Sequence, residues 1–359
     1  LGILDDAGVK LIWFDSLGAK SSCIEVVSSS GSVVIDPGAA IMQPSYPLSF
    51  EEKLELREAA INAIEDRVIN AKAIIITHYH YDHHVLPTDI DLSTSKLYEG
   101  KLLILKNPNM YINESQWGRA RMFLSEVLDE LGDSLNNHLS DPEISEFKDP
   151  VEGLIKAMSI DYGDYSGRKK ELLKKGKKWF DKLVSKLWSK EPWVNEMELK
   201  DGTKIVWGDG KMFEFGDTII EVLEPWFHGI EYDRTGWVTS IIIRKGNYTI
   251  FYSSDLMGPV IEDYTDYIAK VRPDALILDG PPTYLFPYML NRINLRRSID
   301  NVIMLINSGI KLIVYDHHLL RERRWRKRVE EVFKEASKND VALMTAAEYL
   351  GKQPLIDTL

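Results

Sequence analysis

Seven of the eight histidines in this sequence fall in three places: His78, His80, His83 and His84 in one run, His228 alone, and His317 beside His318. Only His138 stands apart. Neutral imidazoles add little to a core and need partners when buried, so clustering of this kind points to metal ligation rather than packing. The run His78-Tyr79-His80-Tyr81-Asp82-His83 carries three imidazoles and a carboxylate within six residues. In extended chain alternate positions share a side, which joins His78 to His80; a turn then presents Asp82 and His83. So dense a set feeds two adjacent ions, more than a single tetrahedral site can take. The competing reading, a solvated His-rich turn, leaves the apolar run before it without a purpose.

Strand ends must hold these residues. Ala73 to Thr77 is a continuous apolar, β-type run, and it follows Phe50 to Val68, where Leu54, Leu56, Ala59, Ala60 and Ile64 recur at helical spacing. A strand after a helix, closing on a histidine cluster, is an α/β arrangement. Upstream, Leu11 to Phe14, Cys23 to Val27 and Ser32 to Asp36 read as strands, the last closed by Pro37-Gly38. From about Pro108 to Lys200 the pattern turns helical and rich in Trp, Lys and Glu, with no convincing strand. Strand-like runs resume at Lys204 to Trp207, Thr218 to Leu223, Trp237 to Ile243, Thr249 to Ser253 and Ala275 to Asp279. A helix from Ile293 to Asn307 stops at Gly309 and leads into the strand Lys311 to Tyr315. The expected organisation is one domain, residues 1–107 and 201–359, interrupted by a helical insertion over 108–200 that acts as a lid or an interface. Trp179, Trp188 and Trp193 are too many aromatics for a solvated helix and must pack on something, in this chain or across a homo-oligomer.

Composition narrows the class. At 359 residues the chain buries a large core without disulfide staples, and its single cysteine, Cys23, excludes a multi-cysteine zinc site and fits a reducing cytoplasm. No apolar run approaches bilayer length, so a cytoplasmic protein with no membrane partner is expected. Abundant Lys, Glu and Ile with few Gln suit a thermophilic source. A net charge of −11 argues against general affinity for nucleic-acid backbone. Between Arg168 and Lys190, however, ten Lys/Arg face only Glu171 and Asp181, giving that segment +8 and leaving −19 for the rest.

His228 in Pro225-Trp226-Phe227-His228-Gly229, Asp255 in Tyr252-Ser253-Ser254-Asp255 and His317 after Lys311 to Asp316 complete a pattern begun by the first run. The pattern resembles the metallo-β-lactamase superfamily, whose signature is His-x-His-x-Asp-His followed by a His, an Asp and a final His. Thr77 to His84, Ser253 to Asp255, Asp279 to Tyr284 and Asp316 to Arg321 are similar to an uncharacterised archaeal branch of that superfamily. The resemblance covers nearly the whole chain outside the insertion and implies a four-layer αββα sandwich. It also implies that His78, His80 and His228 hold one metal and that Asp82, His83 and a C-terminal histidine hold the other, with Asp255 bridging. His317 is preferred to His318 because it follows the strand directly. Asp36 would hydrogen-bond a ligand or the metal-bound water, or simply shape the Pro-Gly turn. His84, which departs from the wider pattern, reads as a ligand's partner or a turn cap, and His318 as a further supporting residue.

The implied function is hydrolysis at a binuclear centre. Two divalent ions, zinc first with manganese or iron as alternatives, share a hydroxide and polarise the bond attacked, with Asp82 and Asp255 carrying the chemistry. His80 stands where the oxidoreductase branch carries a carboxylate, which argues against redox chemistry. The substrate is left between a small molecule and a nucleic acid. Arg168 to Lys190 and Arg321 to Arg328 favour a phosphodiester or nucleotide, while a Trp-rich lid over an apolar pocket suits a lactone, thioester or amide. A protein that binds metal and docks partners without turnover is the third reading. The lysines after Arg168 alternate with Leu172, Leu173, Trp179, Phe180 and Leu183, and so also read as the solvated face of an amphipathic helix.

Overall fold

Short apolar runs such as Ala73–Ile76 and Ala275–Asp279, with no polar face to offer water, are strands buried on both sides. The computed structural model, which describes residues 2–94, 96–143 and 146–359, sets them at the centres of two seven-stranded sheets. The first contains β1 (Val9–Phe14), β2 (Ser22–Ser28), β3 (Gly31–Ile35), β4 (Ala73–Ile76), β5 (Leu102–Leu105), β6 (Met197–Glu198) and β7 (Lys204–Trp207), in spatial order β1-β2-β3-β4-β5-β7-β6. The second runs in chain order through β8 (Met212–Phe215), β9 (Thr218–Val222), β10 (Ile241–Lys245), β11 (Tyr248–Tyr252), β12 (Ala275–Asp279), β13 (Leu312–Asp316) and β14 (Ala342–Met344). Each sheet passes from antiparallel hairpins to a parallel run, β3-β4-β5-β7 in one and β11 to β14 in the other.

Alternation along these strands sorts side chains into layers. Ile35, Ile75, Ile104, Ile243, Ile277 and Val314 meet in the core between the sheets. Their neighbours Val34, Ile74, Ile76, Leu276, Leu278 and Ile313 join an outer core shared with the crossover helices Phe50–Val68 and Arg292–Asn307. The fold is therefore an αββα sandwich. Phe50–Val68 begins where Ser49 and Glu52 form a reciprocal capping box. Among the described residues no helix is long and apolar enough to cross a membrane.

Two stretches depart from expectation. Trp237 to Ile243 is not one strand. Trp237–Val238 pairs with Trp226–Phe227, then Thr239 turns aside to donate from N and Oγ1 to Thr77 O (3.1 and 3.2 Å), and β10 starts at Ile241. The stretch 108–200 carries the helices Glu114–Glu130, Ile155–Ser159 and Ser166–Leu183, but also strands: Leu139–Ser140 pairs with Trp193–Val194, and β6 joins the first sheet. Pairings two residues long leave no alternation to read. Trp179, Trp188 and Trp193 are buried in this chain, Trp179 stacking on Trp237 with centroids 5.4 Å apart. On the helix Ser166–Leu183 the buried face is Lys169, Gly176, Trp179, Phe180 and Leu183, and Lys170, Lys174, Lys175, Lys177 and Lys178 are exposed.

Candidate metal centre

Every histidine and carboxylate of the site leaves the carboxyl end of a strand, where the chain must turn and side chains converge. Asp36 follows β3, Thr77 and His78 follow β4, Asp255 lies beyond β11, Asp279 ends β12, and His317 follows β13. Several of these turns take left-handed backbone that only a fixed surrounding holds: φ is 51° at Asp36, 50° at Ser254 and 59° at His317. Gly38 is required at its position, since a Cβ there would stand 2.2 Å from His84 N and 2.6 Å from His83 N.

Asp255, fully buried, is the centre. Its Oδ2 lies 3.4 Å from His78 Nε2 and 3.2 Å from His228 Nε2, and its Oδ1 lies 3.1 Å from His83 Nε2 and 3.2 Å from His317 Nε2. His78, His80, His228 and Asp255 bring one ligand atom each within 4.8 Å of one another, as do Asp82, His83 and His317, and a third such group joins Asp255, His317 and His318. The sequence-selected residues are thus in one place. Between the two candidate last residues, His317 directs Nε2 at Asp255 and, at 3.8 Å, at Asp82 Oδ2, whereas His318 gives Nδ1 to Asp279 Oδ1 at 2.9 Å.

Neighbouring residues fix these rings. Asp36 Oδ2 accepts from Thr77 Oγ1 (2.7 Å) and Tyr252 Oη (2.7 Å) and meets His83 Nδ1 at 2.9 Å, while Oδ1 accepts from Thr77 N at 2.8 Å. With Nδ1 so engaged, Nε2 of His83 is the atom left for Asp255. Asp15 Oδ1 meets His317 Nδ1 at 2.8 Å in the same way. His84 bonds His80 O through Nδ1 at 2.9 Å and packs its ring against Tyr79, Tyr81 and Phe123, so it both closes the turn and supports His80. Arg321, buried, donates from Nε to Asp15 Oδ2 at 2.5 Å and from Nη2 to Asp82 Oδ2 at 3.2 Å.

Burial favours the uncharged ring and holds the His78 pKa down at about 4, and His80 is lowered also. Burial works the same way on His83, but Asp255 and Asp36 outweigh it and raise its pKa to about 10. Burial alone would raise Asp255; the histidines His83, His317 and His78 around it lower it instead. Burial and then the charge of Asp255 raise Asp279 to about 7.

The donor set fits divalent cations. Both oxygens of Asp255, both ring nitrogens of His228 and Nε2 of His83 are buried without a hydrogen-bond partner, although nitrogens and oxygens stand close to one another. Orphaned atoms at this density, all lone-pair donors of types that bind divalent metals, are explained by a cation between them.

Arg321, Asp15, Tyr252 and Asp279 were not selected as site residues from sequence. Arg321 and Asp279 stand in the sequence only within the similar motifs, Arg321 also as a charge, and Asp15 and Arg321 lie 306 residues apart, with no local pattern to join them.

The αββα frame and this constellation define a protein of the metallo-β-lactamase superfamily, whose family model matches residues 18–84. Within it the chain belongs to the UPF0282 family. It is 32% identical over 347 residues to the UPF0282 protein of Methanopyrus kandleri, covering 95% of this chain and 92% of that one. It is 28% identical over 353 residues to the UPF0282 protein of Methanocaldococcus jannaschii, covering 95% and 91%. Among solved structures, the metallo-β-lactamase fold protein YhfI from Bacillus subtilis is similar at 13% identity and a TM-score of 0.43, over 94% of each chain.

Proposed function

We propose that this chain hydrolyses phosphodiester bonds at a centre of two divalent cations, zinc being best suited to the ligand set. His78, His80 and His228 would hold one cation, Asp82, His83 and His317 the other, with Asp255 between them. Cations so held lower the pKa of water and polarise the bond under attack.

The chain's own residues do the rest. Asp36 and Asp15 keep His83 and His317 in one tautomer with Nε2 inward. Arg321 donates to Asp82 Oδ2 and so fixes the carboxylate that would serve the cation or take a proton from the attacking water.

The observation that carries the substrate class is a cavity of about 420 Å³ walled by Arg321, Arg323, Arg324 and Arg328 with Tyr284, opposed by the single carboxylate of Glu322. Arg321 belongs both to this cavity and to the centre. In a chain of net charge −11, a mouth lined by four arginines selects an anion: Arg321 is paired with Asp15 and Asp82 and Arg328 with Glu322, while the planar forks of Arg323 and Arg324 are left to match phosphoryl oxygens. The exposed lysines of Ser166–Leu183 are, on this reading, a solvated face and not a nucleic-acid track.

The test loads the protein with zinc or manganese and assays bis(4-nitrophenyl) phosphate, short DNA and RNA, and a panel of lactones and thioesters. Phosphodiester turnover that disappears in His80→Ala supports the reading. Turnover of carbon esters alone would overturn it, and so would full activity and full metal content in His80→Ala.

A further inference from the structure

A second cavity, of about 110 Å³, shares the turn Thr283–Leu285 with the arginine cavity. Its walls are Ile230, Met257, Val260, Leu285, Met289 and Leu290. Tyr284 faces the arginine cavity, while its neighbour Leu285 faces the apolar one, so a single turn divides the two.

The apolar cavity is tied to the centre. Gly229, directly after His228, forms part of its wall, and a Cβ there would meet Asp233 Oδ2 at 2.8 Å and Met257 Sδ at 3.2 Å. Thr235 donates to His228 O at 2.7 Å, and Met257 N donates to Asp279 Oδ2 at 2.8 Å. Three polar residues, Asp233, Thr235 and Asn294, share this wall, and Asp233 Oδ1 accepts from Thr235 N and Oγ1 at 3.0 and 2.7 Å. A carboxylate there and four arginines at the first cavity set opposite preferences at the two.

From this arrangement we infer that the substrate is a small amphiphilic phosphodiester whose charged side lies toward the arginines and whose ester arm is a short aliphatic group held in the apolar cavity. The inference rests on the phosphodiesterase reading for the bond that is cleaved. Size limits the arm. At about 110 Å³ the cavity is smaller than one of about 150 Å³ that holds benzene, which suits a few carbons better than a nucleobase. Six apolar walls make each added methylene favourable, and full burial of one corresponds to about fourfold in affinity.

Two measurements on the metal-loaded protein separate this inference from the reading beneath it. Calorimetric titration with methyl-, ethyl-, propyl- and butylphosphonate is expected to show Kd falling about fourfold per methylene until the cavity is full. Met289→Glu, at an exposed position where folding is not at stake, is expected to flatten that series. Equal affinities along the series in the wild-type protein, or a slope unchanged in Met289→Glu, would overturn the inference. In parallel, 4-nitrophenyl methyl and butyl phosphates are assayed for turnover. A flat binding series with diester turnover sinks the aliphatic arm and keeps the phosphodiesterase. A steep binding series with no turnover of either diester does the reverse.

Discussion

Two clusters of buried charged groups differ in how fully they satisfy themselves. In one, Arg297 bonds Glu262 through Nε and Nη2, both at 2.8 Å, and reaches Glu231 Oε1 at 2.7 Å, while Lys169 closes on the same Glu231. Burial alone would raise the Glu231 carboxyl, but Arg297 and Lys169 outweigh it and lower its pKa. In the other, around Asp255, five nitrogen and oxygen atoms of Asp255, His228 and His83 have no hydrogen-bond partner at the same depth. A closed network holds elements together, here the helix Ser166–Leu183 and the helix Arg292–Asn307; an open one calls for a further group. Buried charge is thus not itself the sign of function in this protein. Buried charge left unsatisfied is.

The contrast can be broken at either cluster. Arg297→Ala leaves Glu262 without its partner and Glu231 with Lys169 alone, and is expected to cost about 3–5 kcal/mol in denaturant unfolding. Metal content per folded chain should not change; a variant that folds normally but loses metal would show the two clusters to be one. At the open cluster, Asp36→Ala removes the partner that orients His83 and is expected to weaken metal affinity about 10–100-fold in chelator competition. Unchanged affinity would mean that Asp36 serves only its turn. A smaller effect follows from pH. The folded-state pKa of Glu231 is depressed, so its contribution to stability is present above its unfolded value of about 4.3 and is lost as pH falls through the folded one. Wild-type stability should therefore drop on acidification in that window more than that of Arg297→Ala, and parallel curves would contradict the assignment. The smallest change is expected from Lys174→Glu on the solvated helix face, within about 0.5 kcal/mol in stability. A large, salt-dependent loss of phosphodiester turnover in that variant would restore that face as a substrate surface.

How much of this was legible in the sequence depends on how local each signal is. His78 to His83 are contiguous and follow an apolar run, so the first half of the centre was visible; the bounds of Phe50–Val68 were readable too, although of the apolar residues at helical spacing only Ala60 and Ile64 face the core while Leu54 and Ala59 are exposed. β5, Leu102-Leu103-Ile104-Leu105, is as short and as apolar as β4 but is leucine-rich rather than β-branched and closes on no histidine cluster, so its type was not legible. The break after Val238 was hidden because Thr239 and Ser240 suit a strand by type, and only their bonds to Thr77 O and Ser253 O turn the chain. Arg321 could be seen as a charge but not as the partner of Asp82, 239 residues away. The two cavities belong to tertiary packing alone, since Thr283 to Leu285 reveals its two sides only once β12 and β13 are aligned.

The central claim is that the open cluster around Asp255 is completed by two cations, and anomalous diffraction from crystals of the metal-loaded protein tests it most directly. Two peaks are predicted, one against His78, His80 and His228, the other against Asp82, His83 and His317, with Asp255 reaching both. A single peak held by Asp255, His317 and His318, or no peak with hydrogen bonds closing the cluster instead, would contradict it.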